Sequence, residues 1–387
     1  MKRAKVKIMV KSSREELKNS KRIVIKVGSN LVATKDGKIN EELLQSICSE
    51  IARLSESGKE IILVTSGAVR IGLNKMGIDP KVNKPDLSTR QAAAAAGQVE
   101  LISVYNSIFL KKNACVAQLL LTGDDITSRR RYLHIRNTLL PILRSHKIIP
   151  VINENDSVSI EGVQIGENDR LAALIAGKIE CDLLIILSDV KGLYTANPEL
   201  DKNAEFISEV EKVTDDILNI AGGSISGVGR GGMQSKVVAA KIAARMGTNT
   251  VVALGKEQDV LTKITNGEQV GTCFYKNKRT RLHAKEQWLG FAATAKGSVE
   301  IDKGASVALI ERGSSLLPVG IVAVSGSFVS GDAISICRDG REIAKGLSNY
   351  TSEEIVKIAG KNSADIEEIL GAHPYDEVVH RDNLILL

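Results

Sequence analysis

The chain has 387 residues, of which 43% are hydrophobic and 25% charged, and a formal net charge of +6. Domains cluster near ~100–200 residues, so two are expected, with enough chain to bury a sizeable core. No apolar run approaches the ~20 residues that cross a bilayer, which excludes a helical membrane protein, and five scattered cysteines without a C-x-x-C pair exclude a disulfide framework or a cysteine zinc site.

In chain order, residues 1–20 come first, as a basic extension in which Lys2, Arg3, Lys5, Lys7, Lys11, Arg14 and Lys18 face only Glu15 and Glu16. It lacks the apolar segment of a secretory signal and reads as a solvated tail, so the cytosol is the expected compartment. From Arg22 the pattern alternates. The run 22-RIVIKVGSNLV-32 is strand-like, and Leu43, Leu44, Ile47, Ile51 and Leu54 then recur at the spacing of one helix face. The run 60-EIILVTSGAV-69 is strand-like again, which completes a βαβ unit. The alternation continues through 115-CVAQLLLT-122, a helix near 132–146, strand 148-IIPVINEN-155, a helix near 169–179 and strand 183-LLIILSDV-190. Strands apolar on both faces belong inside a parallel sheet covered by helices. Residues 21–276 are therefore expected to form an α/β three-layer sandwich with a mainly parallel central sheet.

Residues 277–294 are polar and basic, as a linker should be. Residues 295–375 carry short β-type segments broken by Gly, Ser and Asp, which predicts a small, mostly-β second domain, followed by a C-terminal segment over 376–387.

Candidate chemistry lies at the corners between these elements. The stretch 227-GVGRGGMQSK-236 contains G-x-G-x-x-G, but it follows a helix and a polar loop rather than a strand, so the dinucleotide-binding context fails. A Walker A loop fails as well, because Met233 occupies the lysine position. What remains is a glycine loop that places Lys236 in the first turn of a helix, where free N–H groups and the helix dipole favour an anion. A phosphoryl-transfer site needs a second cation, and Lys26 supplies one: it stands among Val24, Ile25 and Val27, where a lysine without an anionic partner would be costly. It leads into Gly28 and Ser29, whose backbone N–H groups can point at phosphate oxygens. Further polar corners follow at 65-TSGAV-69, 152-INENDSV-158 and 166-GENDR-170. Four such corners in one sheet imply a charged cleft.

Taken in order, 26-KVGS-29, 64-VTSGA-68, 150-PVINEND-156, 166-GENDRLAAL-174, 188-SDVKGLYTANP-198 and 231-GGMQSK-236 resemble the amino acid kinase family. The segments 310-IERGSSLLPVGI-321 and 379-VHRDN-383 are similar to the PUA domain that many members carry at the C-terminus. The resemblance implies transfer of phosphoryl from ATP, with Mg2+, to the side-chain carboxylate of L-glutamate, the first step of L-proline synthesis. It implies Lys26, Lys236 and Asp169 as catalytic residues, with Asp169 holding both lysines. It further implies nucleotide binding by Lys26, Ser188, Asp189, Arg230, Gly231, Gly232, Met233, Gln234, Ser235 and Lys236. Ser66, Asp156 and Asn168 would bind glutamate, Asp156 at the ammonium and the other two as donors to its carboxylates. The magnesium would sit mostly on phosphate oxygens and water, leaving no protein metal site.

Glu167 and Arg230 depart from the commonest pattern of the family. The alternatives are a kinase for N-acetylglutamate or aspartate, and an RNA-binding PUA protein, against which stands an aromatic content of only 3%. The chain ends at Leu387 with no room for a second catalytic unit, so a separate glutamyl phosphate reductase (glutamate-5-semialdehyde dehydrogenase) is the expected partner. The resemblance also implies a homo-oligomer and proline as a feedback inhibitor, with no membrane association.

Overall fold

A computed structural model of the protein describes residues 13–80, 82, 85–158, 168–198, 200–222, 232–277, 295–371 and 375–387. They form two compact units, one ending before residue 278 and the other resuming at 295.

The first unit is built on a sheet whose inner strands are buried on both faces, while the strand over Cys115–Leu121, expected to be buried too, lies at the sheet's edge and is mostly half-buried. Strands β1 (Arg22–Val27), β2 (Glu60–Val64), β3 (Cys115–Leu121), β4 (Ile148–Glu154) and β5 (Leu183–Ser188) are joined by two short strands, β6 (Leu193–Tyr194) and β7 (Phe206–Ile207). Strands β8 (Glu209–Val210), β9 (Asn249–Leu254) and β10 (Thr272–Phe274) follow. Eight of these make one sheet in the order β3-β4-β2-β1-β5-β9-β10-β8, while β6 and β7 pair separately. Every pairing in the large sheet is parallel except that of β9 with β10. β1 lies between β2 and β5, so both its edges are paired, and with helices against the sheet Ile23, Val24, Ile25 and Val27 are fully buried.

Helix α1 (Glu15–Lys18) precedes β1, and helices fill the connections between strands: α2 (Ser29–Val32), α3 (Glu41–Glu56), α4 (Ala68–Lys75), α5 (Leu87–Leu110), α6 (Gly123–Thr127) and α7 (Arg129–Ser145). The remainder are α8 (Asn168–Lys178), α9 (Asp215–Ile220), α10 (Met233–Arg245) and α11 (Val260–Thr265). On α3, Leu44, Ile47, Ile51 and Leu54 form the buried stripe, and Asn40 caps the first turn by accepting from the Leu43 N–H. The expected strand over 22–32 is shorter than its apolar letters: it stops at Val27, and Ser29–Val32 turn into α2. Helices α4 and α5 cross at very close range. A Cβ on Gly72 would lie 1.8 Å from the Ala93 carbonyl oxygen, and one on Gly97 would lie 1.9 Å from that of Ala68.

Residues 13–20 are not the solvated tail that their charge implied. Leu17 is fully buried in the core, and Arg14 is 4% exposed because its guanidinium meets main-chain carbonyls. The sequence pattern conceals this, since a lone leucine and an arginine in a basic run carry no periodicity.

The second unit holds a sheet in the order β12-β11-β13-β14-β15, from β11 (Gly297–Ile301), β12 (Ile321–Gly326), β13 (Ala333–Arg338), β14 (Arg341–Leu347) and β15 (Leu384–Leu386). Val299, Ile334, Ile336 and Ala344 pack with Ile355, Ile358 and Ile366 from flanking helices into its core. One segment within the expected β region, Lys303–Arg312, is a helix: Asp302 caps it by accepting from the Ala305 N–H at 2.7 Å, and Gly313 ends it in the left-handed region.

Candidate active site

The carboxyl ends of β1, β2 and β5 and the N-termini of α8 and α10 converge on one cavity of about 260 Å³. Lys26, Ser66, Asn168, Asp169, Ser188, Asp189 and Lys236 all line it. Seven of the residues picked from separate corners of the sequence thus meet in one place, as the crevice rule for open α/β sheets requires.

At its centre is a carboxylate between two ammonium groups. Lys26 Nζ lies 2.5 Å from Asp169 Oδ1, and Lys236 Nζ lies 3.3 Å from Asp169 Oδ2, with all three side chains at least nine-tenths buried. Lys26 reaches the carboxylate from β1 and Lys236 from the first turn of α10. Burial pushes the Asp169 carboxyl upward, but the charges of Lys26 and Lys236 outweigh it and hold the group below the usual carboxylate range. Ser235 adds a hydroxyl donor to Asp169 Oδ2 at 2.8 Å, while the Gly232 carbonyl accepts from both Ser235 and Lys236. Met233 and Gln234 lie in the same first turn of α10 and are half-buried. Arg230, Gly231 and Glu167 lie outside the described residues.

On the β5 side, Asp189 accepts from Ser188 Oγ at 3.1 Å and from Asn30 Nδ2 at 2.8 Å. Burial raises the Asp189 carboxyl, but these hydrogen bonds and the nearby Lys236 bring it below its ordinary value. The Gly28 N–H, expected to face a phosphate, instead donates to the Leu187 carbonyl at 3.1 Å and ties the β1 corner to β5.

Asn168 also differs from its expected use as a donor to a ligand carboxylate. Its Nδ2 lies within hydrogen-bond distance of three acceptors that share its two hydrogens, the Thr65 carbonyl at 2.8 Å, Asn153 Oδ1 at 2.9 Å and Ser66 Oγ at 3.0 Å. A main-chain carbonyl can only accept, so the amide orientation is forced and both its hydrogens are used within the protein. Its Oδ1, buried and without a partner among the described residues, is what Asn168 has left for a ligand. Asn153 is held in turn by donating to Gln98 Oε1 at 2.8 Å. Ser66, which accepts from Asn168, keeps its own hydroxyl hydrogen.

Asp156 stands apart from this cavity, in an adjoining one that it shares with Gly67, Arg70 and Arg90 and that meets the first at Ser29. Burial raises the Asp156 carboxyl, and Arg90 opposes the shift. The sequence reading missed Asn30, Asn153 and Gln98; of these only Asn153 stood within a stretch already marked as polar. Among the described residues no group of three or more His, Cys, Asp or Glu could hold a metal, and none of the helices is long and apolar enough to cross a membrane.

Residues 21–253 match the amino acid kinase family. The chain belongs to the amino acid kinase family. In this kinase, residues 297–370 also match the PUA domain. Curated relatives named glutamate 5-kinase align over nearly the whole chain. The one from Caldanaerobacter subterraneus subsp. tengcongensis is 45% identical over 367 residues, 95% of this chain and 98% of its own. Those from Nitrosomonas eutropha and Syntrophotalea carbinolica are each 44% identical, the first over 97% of this chain and 100% of its own, the second over 96% and 98%. Membership of this kinase family implies use of ATP.

Proposed function

We propose that this amino acid kinase transfers the γ-phosphoryl group of ATP to the side-chain carboxylate of L-glutamate, giving ADP and L-glutamyl 5-phosphate, the first step of L-proline synthesis. The observation that carries the reading is the Asp169 carboxylate gripped by Lys26 and Lys236 from opposite sides of one cavity. The relatives named glutamate 5-kinase support the choice of acceptor.

In this reading the two lysines flank the phosphoryl group in flight. Charge accumulates there on three equatorial oxygens, and two fixed cations in a water-poor site stabilise it more than they stabilise the ground state. Asp169 holds them in position and touches no substrate. The acceptor carboxylate is ionised near neutral pH, so its oxygen attacks phosphorus without a general base as ADP leaves. Asp156 faces the substrate ammonium and Asn168 Oδ1 accepts from it, while Ser66 donates its hydroxyl hydrogen to a substrate carboxylate. Ser188, Asp189 and the first turn of α10, from Gly232 through Lys236, take the nucleotide, and we extend that loop to Arg230 and Gly231.

With Asp189, among the described residues, the one carboxylate lining the cavity that is not already held between lysines, the donor set would suit a magnesium ion held chiefly by phosphate oxygens and water. When bound, that ion neutralises phosphate charge. The acyl phosphate product is labile in water, which calls for a separate reductase to consume it.

The test is ATP consumption with hydroxylamine present, which converts an acyl phosphate to a hydroxamate. L-glutamate should give the hydroxamate. Turnover with N-acetylglutamate or aspartate but none with L-glutamate would overturn the choice of acceptor, because Asp156 has no use for an acetylated amine.

A further inference from the structure

The segment before β1 contains a buried arginine bonded to four main-chain carbonyls. Arg14 Nη1 donates to the Glu268 and Val270 carbonyls at 3.0 and 2.6 Å, and Nη2 donates to the Ser208 and Gly271 carbonyls at 2.7 Å each. Its Nε lies 3.5 Å from Glu209 Oε1, and its side chain is 4% exposed. One planar cation therefore gathers four main-chain acceptors, three from the turn between α11 and β10 and one from the junction of β7 and β8. Two of these carbonyls have a main-chain donor as well, the Val270 N–H for Glu268 and the Cys273 N–H for Ser208, so the guanidinium adds to a turn that the backbone also ties. Leu17, fully buried one helical turn later, anchors the segment that carries Arg14.

The gathered turn leads to the nucleotide side. Gly271 is followed by Thr272, whose Oγ1 donates to the Ile207 carbonyl at 2.6 Å and accepts from the Leu193 N–H at 2.8 Å. Thr272 Oγ1 also lies 2.5 Å from where a Cβ on Gly192 would sit, and Gly192 has a φ of +149°. Gly192 and Leu193 close the short loop that leaves β5 after Ser188 and Asp189, and both of those residues line the cavity. A continuous set of contacts thus runs from Arg14 through Gly271 and Thr272 to the far end of the loop that carries Asp189.

We propose that Arg14 is a positioning residue for nucleotide binding: it fixes the turn before β10, and through Thr272 that turn fixes the exit of the Ser188–Asp189 loop. The inference rests on the reading that this loop faces the nucleotide. It gives the segment before β1 a role in the kinase reaction, although Arg14 itself touches no substrate.

The experiment measures steady-state kinetics of Arg14→Met, Thr272→Val and the double variant in the full chain, varying ATP at saturating glutamate and then the reverse. Each single variant should raise KM for ATP about tenfold and leave KM for glutamate and kcat within about twofold. The double variant should be no worse than the worse single, since both cut the same chain of contacts. Equal rises in both KM values, or a lowered Tm with KM for ATP unchanged, would mean that Arg14 only holds the fold together. Should Arg14→Met fail to fold, Thr272→Val and the milder Arg14→Lys carry the same comparison. Asp189→Asn separates the layers. If it raises KM for ATP and the Arg14 and Thr272 variants do not, the relay alone is wrong; if it leaves KM for ATP unchanged, the nucleotide reading falls and the relay with it.

Discussion

Replacing Lys236 by methionine is the sharpest probe of the proposed chemistry. Methionine keeps most of the buried stem and deletes the charge. Asp169 keeps its contact with Lys26 at 2.5 Å and its hydrogen bond from Ser235, so no carboxylate is left buried and unpaired. The fold should survive, because the several kcal/mol lost when a buried ion pair is broken arise from the stranded partner. Catalysis should not survive. Loss of one preorganised donor to a transition-state oxyanion costs roughly 3–4 kcal/mol, or about 10²–10³ in rate, and a full unit charge in a water-poor site should cost at least that. The hydroxamate assay at saturating ATP and glutamate reads kcat, and thermal melting reads stability. A variant that keeps more than about one-tenth of wild-type kcat with an unchanged Tm would refute the role assigned to Lys236.

Three further outcomes follow from the same geometry. Asp169→Asn strands two buried ammonium groups at once, so unlike Lys236→Met it should lose both activity and about 3–5 kcal/mol of stability by denaturant unfolding. Asp156, raised by burial, should be neutralised at a higher pH than an ordinary aspartate; below that point KM for glutamate should climb about tenfold per pH unit while KM for ATP stays flat. The folded protein binds this proton more readily than the unfolded chain, so acidification through that range favours folding at Asp156 even as it weakens substrate binding, and a pH-independent KM for glutamate would contradict its role. Gly97→Ala forces a methyl to 1.9 Å from the Ala68 carbonyl oxygen, so it should cost about 1–3 kcal/mol and visibly lower Tm; an unchanged melt would mean that α4 and α5 can part freely.

What the sequence disclosed depended on how local the signal was. Strands β1, β4 and β5 were legible because residues apolar on both faces have only one place to go. Lys26 was legible because a cation within such a run demands a partner, and the partner proved to be Asp169. The use of Asn168 was not legible: which of its atoms faces a ligand is decided by Thr65, 103 residues away, and by Asn153, 15 away. Arg14 looked like part of a solvated tail because its acceptors are carbonyls about 200 to 250 residues further on, and main-chain acceptors leave no letter in the sequence. The helix Lys303–Arg312 was hidden by its neighbours, since Asp302 read as one more strand breaker rather than a cap.

Asp169 also bears on how often the enzyme must organise itself. Two long lysine side chains in solvent would each lose about 1.5–2 kcal/mol of rotamer entropy on being fixed around a phosphate. Here the fold itself supplies that ordering, because the Asp169 carboxylate holds both ammonium groups in place. In the proposed reaction, successive cycles would therefore begin from the same arranged pair, and an incoming phosphate would have only to share cations that Asp169 has already stilled.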